Sequence, residues 1–145
     1  MGIVEDFLTP EEEEQIVETI RGSEKRTSGE IRVHIENNCK IGCLDRAKEV
    51  FNYLGMDKTK DRNGVLFYVS VQSHMFAVIG DSGINEKVPK NFWDSVKDRV
   101  QEEFAKGNFC DGLVLGIIEA GQKLSEYFPY HHSDENQLSN EISKS

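Results

Sequence analysis

Three acidic residues lie close to glycines in the sequence, at points where the chain is expected to turn. Glu30 follows Ser-Gly, Asp61 begins Asp-Arg-Asn-Gly, and Asp81 lies within Gly-Asp-Ser-Gly. Carboxylates that are brought together repel one another unless a cation compensates their charge. A hard divalent cation accepts such oxygens together with backbone carbonyls and water, and Ca2+ tolerates irregular geometry better than Mg2+. These residues are therefore candidate ligands of a divalent metal, with Ca2+ favoured and Mg2+ as the alternative.

Two strands and the helix between them are expected to position the first two acids. Residues 30–36 alternate polar and apolar side chains in period two, which predicts a strand buried on one face. Apolar residues recur at helical spacing from Leu44 to Leu54. The nearly unbroken apolar run 65–69 predicts a central strand with both faces covered. A strand, a helix and a strand in this order imply a parallel βαβ unit.

The direction of the next strand decides whether Asp81 joins the other two acids. Gln72-Ser73 is short enough for a hairpin turn, so residues 75–79 should return antiparallel beside the central strand. That strand would then end at the edge where the two parallel strands begin. The topology predicts that Glu30, Asp61 and Asp81 share this edge. An alternative remains open, in which Asp61 and Asp81 are loop acids that accept hydrogen bonds from nearby backbone N–H groups.

The rest of the chain supplies helices and a tail. Thr9-Pro10-Glu11-Glu12 combines a capping residue, an N-terminal proline and a capping-box glutamate, which together predict a helix start. Further apolar stripes at helical spacing run through residues 92–104 and 113–124. We therefore predict an α/β sandwich, a single domain over residues 1–128 with a small mixed β-sheet and helices on both faces. Residues 129–145 are expected to form a flexible polar tail.

Composition removes several classes of function. The 145 residues include 26 acidic and 17 basic side chains, giving a net charge of −9, which argues against binding to a nucleic-acid backbone. No apolar run approaches the roughly 20 residues of a membrane span, and the N-terminus lacks a signal-peptide pattern. Three cysteines without a CxxC pair argue against a disulfide scaffold or a zinc ribbon, and predict isolated, inert thiols. The expectation is a soluble, cytoplasmic protein.

Several segments of the sequence resemble the TPM domain family over roughly residues 4–128. The segments are Phe7-Leu8-Thr9-Pro10-Glu11-Glu12, Ser28-Gly29-Glu30-Ile31, Asp61-Arg62-Asn63-Gly64-Val65-Leu66, Ile79-Gly80-Asp81-Ser82-Gly83-Ile84 and Gly107-Asn108-Phe109-Cys110-Asp111-Gly112-Leu113. The resemblance implies an α/β sandwich with divalent metal, notably calcium, at the loops of one edge. It also implies an acid phosphatase activity, which has been proposed for thylakoid-lumen members linked to photosystem II repair. Where the family has a Gly-Tyr-Gly-like turn, this chain has Gly80-Asp81-Ser82-Gly83, which adds a carboxylate.

Two functions follow from these observations. The first is a binding or regulatory domain that holds a divalent cation through Glu30, Asp61 and Asp81; an additional protein partner is left open, because the sequence does not identify one. The second is a metal-assisted acid phosphatase acting on phosphomonoesters, in which Arg62 would steady the phosphate. No convincing nucleophile supports the second function, because Ser82 in Gly-Asp-Ser-Gly lacks a paired base nearby in the sequence. The sequence contains no phosphate-binding glycine loop of the nucleotide-binding type.

Overall fold

A mixed sheet of four strands forms the centre of the fold. In the computed structural model, which describes residues 2–130 and 138–145, the strands lie in the order β3-β2-β1-β4. They are β1 (Glu30–Glu36), β2 (Gly64–Ser70), β3 (Met75–Gly80) and β4 (Ser143–Lys144). β1 pairs in parallel with β2 and with β4, and β2 pairs antiparallel with β3. Every residue of β2 is buried, as predicted for the central strand.

Helices cover both faces of this sheet, which confirms the predicted fold class. They are α1 (Ile3–Asp6), α2 (Pro10–Ser23), α3 (Cys43–Tyr53), α4 (Ser82–Asn85), α5 (Asp94–Ala105) and α6 (Phe109–Ser125), with a 3-10 turn at Met56–Lys58. The start of α2 is the predicted capping box. The Thr9 hydroxyl accepts a hydrogen bond from the Glu12 N–H at 3.1 Å, and the Glu12 carboxylate accepts one from the Thr9 N–H at 2.9 Å.

The period-two pattern of the strands divides the apolar side chains between two cores. Alternate residues of β1 and β2, including Ile31, Val33 and Phe67, pack against α2, α5 and α6. Leu66 and Tyr68 of β2 point to the other face and pack against α3. Because β2 contributes to both cores, it has no face left for solvent. No helix in the described part of the chain is long and apolar enough to cross a membrane.

The outer edge of β1, on the side away from β2, is covered by groups that the sequence did not predict. β4 pairs with β1 at His34 and Ile35, and the Ser145 N–H donates to the Ile35 carbonyl at 2.9 Å. Residues 138–145 therefore lie along this edge. Within the tail predicted over residues 129–145, residues 131–137 lie outside the described residues. A strand of two residues is too short to produce a periodic pattern, so its sequence gave no signal.

Further along the same edge, a side chain takes the place of a strand. The Glu24 carboxylate accepts a hydrogen bond from the Ile31 N–H at 2.9 Å. Burial raises the pKa of Glu24 to about 8; Glu30 also raises it, while the bond from Ile31 and the nearby Arg21 lower it. At neutral pH this carboxyl group therefore holds a proton for much of the time.

The cysteines differ from the expectation of isolated thiols. Cys39 and Cys43 are joined as a disulfide, with their Cα atoms 5.1 Å apart in the turn that leads into α3. The expectation holds for Cys110, which is a free and buried thiol. Burial, followed by the charges of Glu12 and Asp111, raises the pKa of Cys110 to about 11, so little reactive thiolate forms at neutral pH.

The raised pKa of Glu24 makes stability depend on pH. Between about pH 4.5 and 8 the folded chain keeps a proton that the unfolded chain releases, so stability falls as pH rises through this window. Glu24→Gln removes this titration and keeps an acceptor for the Ile31 N–H. When the pH is raised from 5 to 8, we expect the free energy of unfolding of the variant to increase by about 2 kcal/mol relative to that of the wild type. One pKa unit corresponds to about 1.4 kcal/mol, and partial exposure screens part of the effect. Urea unfolding at both pH values measures the gain.

Glu14→Gln is the matched control, because Glu14 is exposed on α2. This variant should follow the wild-type pH dependence. If Glu24→Gln follows it too, Glu24 does not titrate in the neutral range.

Candidate functional site

The starts of β1 and β2 and the end of β3 meet at one edge of the sheet. Glu30 lies opposite Gly64 in the parallel register, and Val65 lies opposite Gly80 in the antiparallel register. The Asp81 N–H donates to the Gly64 carbonyl at 3.0 Å, which continues the β2–β3 pairing by one residue. The predicted direction of the third strand is therefore confirmed. The three carboxylates at this edge nevertheless do not all point to one place.

Asp81 is buried, and its carboxylate forms an ion pair with the guanidinium of Arg62. Arg62 donates two hydrogen bonds to it, from Nε to Oδ2 at 2.9 Å and from Nη2 to Oδ1 at 3.1 Å. Oδ1 also accepts the Ser82 N–H at 2.7 Å, so Asp81 is the N-cap of α4. The bonds and charge of Asp81 raise the pKa of Arg62, with smaller contributions from Asp57 and Glu86. The guanidinium thus lies in an acidic environment.

The backbone of the loop before β2 is held against α4. Arg62 adopts a left-handed conformation with φ of 51°, which is uncommon for a residue with a side chain. Its carbonyl accepts the Gly83 N–H at 2.9 Å. A Cβ atom at Gly83 would lie only 2.2 Å from the Asp61 carbonyl oxygen and 2.6 Å from that of Arg62. Position 83 therefore requires glycine, and this contact places Asp61 beside α4.

Glu30 is directed to a different part of the molecule. Its Oε1 accepts the Leu138 N–H at 2.9 Å, on the side of β1 where residues 138–145 lie. β2 separates β1 from β3, so the backbones at Glu30 and Gly80 are about 10 Å apart. The structure thus brings Asp61 and Asp81 to one loop cluster and places Glu30 beyond β2. Within residues 2–130 and 138–145, no group of three or more His, Cys, Asp or Glu side chains is arranged to hold a metal ion.

Asp61 instead shares an open cleft with Glu86, an acid that the sequence analysis missed. The cleft has a volume of about 390 Å3 and is lined by Ser28, Asp61, Gly83, Glu86, Lys87, Tyr127, Phe128 and Pro129. Asp61 and Glu86 are both exposed, while the ammonium of Lys87 lies 4.6 Å from the centre of the Phe128 ring. The local signal for Glu86 was its place at the end of the short helix that Asp81 caps.

A second polar cluster lies on the α3 side of the sheet, and we call it the Glu36 cluster: His34, Glu36, Arg46 and Tyr68. The buried Glu36 carboxylate accepts bonds from Arg46 Nε and Nη2, both at 2.9 Å, from His34 Nε2 at 3.0 Å and from the Tyr68 hydroxyl. Burial alone would raise the pKa of Glu36, but the bonds from Arg46, Tyr68 and His34 hold it below its usual range. Glu36 is therefore a charged and fully engaged acceptor.

His34 alternates with apolar residues along β1, a pattern that predicts a position at the surface or rim, and this prediction is wrong, since only 2% of the residue is exposed. Burial lowers the pKa of His34, although Glu36 acts in the opposite direction, so the ring is neutral at pH 7. Because Nε2 faces the Glu36 carboxylate, it carries the proton, and Nδ1 is left as an acceptor. Nδ1 lies 2.9 Å from the Ser143 hydroxyl, which donates to it. Long-range packing of this kind leaves no mark on the local sequence pattern.

Comparisons with known proteins agree with this architecture. A family model described as TPM domain matches residues 4–123. The chain is similar to the BA42 protein of the psychrophilic bacterium Bizionia argentinensis, with 50% identity over 100% of both chains and a TM-score of 0.93. It shares its fold with the N-terminal domain of a protein from P. gingivalis, with 20% identity over 88% of this chain and 83% of that one and a TM-score of 0.72. No curated protein matches the sequence.

The tight contact at Gly83 predicts a specific loss of stability. In Gly83→Ala, the added methyl group must push the 61–62 backbone away from α4, and we expect this to cost about 1–3 kcal/mol. Gly22→Ala in α2 is the matched control, because a Cβ there has no atom within 4 Å. It should leave stability unchanged or raise it by up to about 1 kcal/mol. Denaturant unfolding of both variants measures the difference, and equal stabilities would contradict the contact.

Proposed function

Because the chain belongs to the TPM domain family, we propose that it binds a divalent cation, Ca2+ in preference to Mg2+, at the edge where β1 and β2 begin. The role is one of binding or regulation. The observation that supports the proposal is the cleft in which the Asp61 and Glu86 carboxylates face solvent together with Ser28. These groups offer hard oxygen ligands, which Ca2+ and Mg2+ favour. The two carboxylates and the hydroxyl of the cleft therefore support the proposed ion.

The three predicted ligands have different tasks in this proposal. Asp61 is a direct ligand, joined by Glu86, and the Ser28 hydroxyl and backbone carbonyls complete the oxygen set. Asp81 is a positioning residue, because its carboxylate holds Arg62 and with it the loop that carries Asp61. Glu30 anchors the segment that begins at Leu138. Ca2+ is favoured over Mg2+ because an open cleft formed by two loops does not impose octahedral geometry.

The phosphatase alternative receives less support from the same geometry. Arg62 was the residue expected to steady a phosphate, but two of its donors are bound to Asp81. A phosphate would have to compete with a buried carboxylate for this guanidinium, which leaves an unpaired buried charge if it succeeds. The exposed carboxylates of Asp61 and Glu86 would also repel an anion. For these reasons we propose binding and not phosphoryl transfer.

Calorimetric titration of Ca2+ into the chelator-treated chain tests the proposal. We expect one saturable site in the wild type and about tenfold weaker binding in both Asp61→Asn and Glu86→Gln, since each removes one carboxylate ligand. Asp81→Asn should weaken binding less, because it acts through the loop. Asp98→Asn is the matched control, since Asp98 is exposed on α5 and does not line the cleft. A parallel titration with Mg2+ measures selectivity.

Equal affinities in the wild type, Asp61→Asn and Glu86→Gln would reject this cation site. Hydrolysis of p-nitrophenyl phosphate, assayed at acidic and neutral pH with Ca2+ present, separates the alternative. Turnover by the wild type that is lost in Asp81→Asn but kept in Asp98→Asn would favour a phosphatase. Absence of turnover, together with carboxylate-dependent Ca2+ binding, is the result expected here.

A further inference from the structure

The outer edge of β1 presents backbone groups that are covered by a short and separate segment. Only two residues of β4 pair with β1, at His34 and Ile35, in the described part of the chain. At Ile31 the backbone N–H is bound by the Glu24 side chain and not by a strand. An exposed strand edge is a template for pairing with another extended chain, and proteins normally cover it. Because only two residues of the covering segment form backbone pairs with β1, the side-chain contacts of the segment decide whether it remains on the edge.

Residues 138–145 lie on this edge in the way that a bound peptide would. Leu138 packs against the core beneath α3, and Ile142 packs against the core beneath α2 and α6. The Leu138 N–H donates to Glu30, and the Ser143 hydroxyl donates to His34. Lys144 forms an ion pair with Glu13 of α2, with Nζ 2.6 Å from Oε1. Two apolar anchors, one hydroxyl and one ammonium are thus recognised beside the backbone pairing.

The groups that receive this segment belong to the folded domain and are held there by other contacts. Glu13 lies on α2 and Glu30 begins β1. His34 is fixed by Glu36, which Arg46 and Tyr68 hold in turn, so its Nδ1 acceptor points to the edge whether or not a serine is present. A buried histidine with a rigid support and an acceptor aimed outward is a recognition element. The receptor side of the edge is therefore prepared in advance.

The order Ser143, His34 and Glu36 also occurs in hydrolase relays, but the electrostatics here oppose that role. Glu36 also binds Arg46 and Tyr68, and Arg46 compensates its charge, so this carboxylate contributes less to stabilising a protonated His34. Recognition of the hydroxyl is what remains.

We propose that the outer edge of β1 is a docking site for an extended peptide of another protein, and that residues 138–145 occupy it in cis. The partner carries the pattern of the cis segment: an apolar residue, three further residues, a second apolar residue, then serine and a basic residue. Addition of a strand to a sheet edge takes affinity from the backbone and specificity from the side-chain sites. The acidic Glu13 and Glu30 on the receptor side select against acidic peptides.

A labelled synthetic peptide with the sequence of residues 138–145, titrated against the full chain, tests the proposal by fluorescence anisotropy. The cis segment competes with it in the wild type. Ile142→Asp in the chain removes one anchor of the cis segment, and Lys144→Glu in the chain removes its ion pair while leaving the core untouched. Each variant should bind the peptide about tenfold more tightly than the wild type, as expected when a competing state is depopulated. The peptide with Ile142→Asp is the control ligand and should not bind.

A charge exchange identifies the edge itself as the site. Glu13→Lys, combined with Lys144→Glu in the chain, restores the cis ion pair with reversed charges and also repels the lysine of the labelled peptide, so peptide affinity should fall to the weak wild-type level or below it. Amide spectra of each variant report whether the domain is folded and the segment released. No binding at about 1 mM peptide to a folded variant with a released segment overturns the proposal. Dimerisation of the released variants through exchanged segments also overturns it in favour of a second copy as the occupant.

This experiment is independent of the cation site. Peptide binding is measured in chelator, where the Asp61 and Glu86 cleft is not loaded. Failure of one proposal therefore leaves the other intact.

Discussion

The burial of β2 along its whole length is the constraint on which the rest of the structure depends. A seven-residue strand without an exposed position needs backbone partners on both sides and apolar helices on both faces. β1 and β3 supply the partners, and α3 on one side and α2, α5 and α6 on the other supply the cover. Groups that need solvent or a ligand are consequently displaced to the margins of the sheet. Both proposed binding regions lie at such margins, one where β2 begins and one beyond β1.

Three buried or partly buried acids in the described part of the chain are compensated, and the means differ from site to site. Asp81 receives Arg62, Glu36 receives Arg46 with His34 and Tyr68, and Glu24 keeps a proton through its raised pKa. Burial of an uncompensated carboxylate would be far more costly than any of these solutions. Asp61 and Glu86 avoid the problem because they are exposed. Exposed acids can approach a cation without first losing an internal partner, which distinguishes their cleft from the buried clusters.

Local patterns in the sequence were sufficient for the main strands, the hairpin and the capping box of α2, because each depends on residues close in the chain. They also placed Glu30, Asp61 and Asp81 at one edge, since strand direction follows from the length of the connections. They did not show that Arg62 binds Asp81, that Glu86 joins Asp61, or that His34 is buried. Arg62 and Asp81 are 19 residues apart in the sequence, and Asp61 and Glu86 are 25 apart. His34 and its partner Ser143 are 109 residues apart. The packing of side chains, and not periodicity, decides which of them meet.

The contact between Gly83 and the 61–62 backbone has a mechanical consequence. Main chain touches main chain there, with no flexible side chain between the two segments to absorb a displacement. A displacement of the loop therefore has to be accommodated by α4. Because Asp81 pairs with Gly64 and directly precedes α4, this helix is in turn connected to the sheet. Loop, short helix and strand end are thus joined by main-chain hydrogen bonds into one continuous unit.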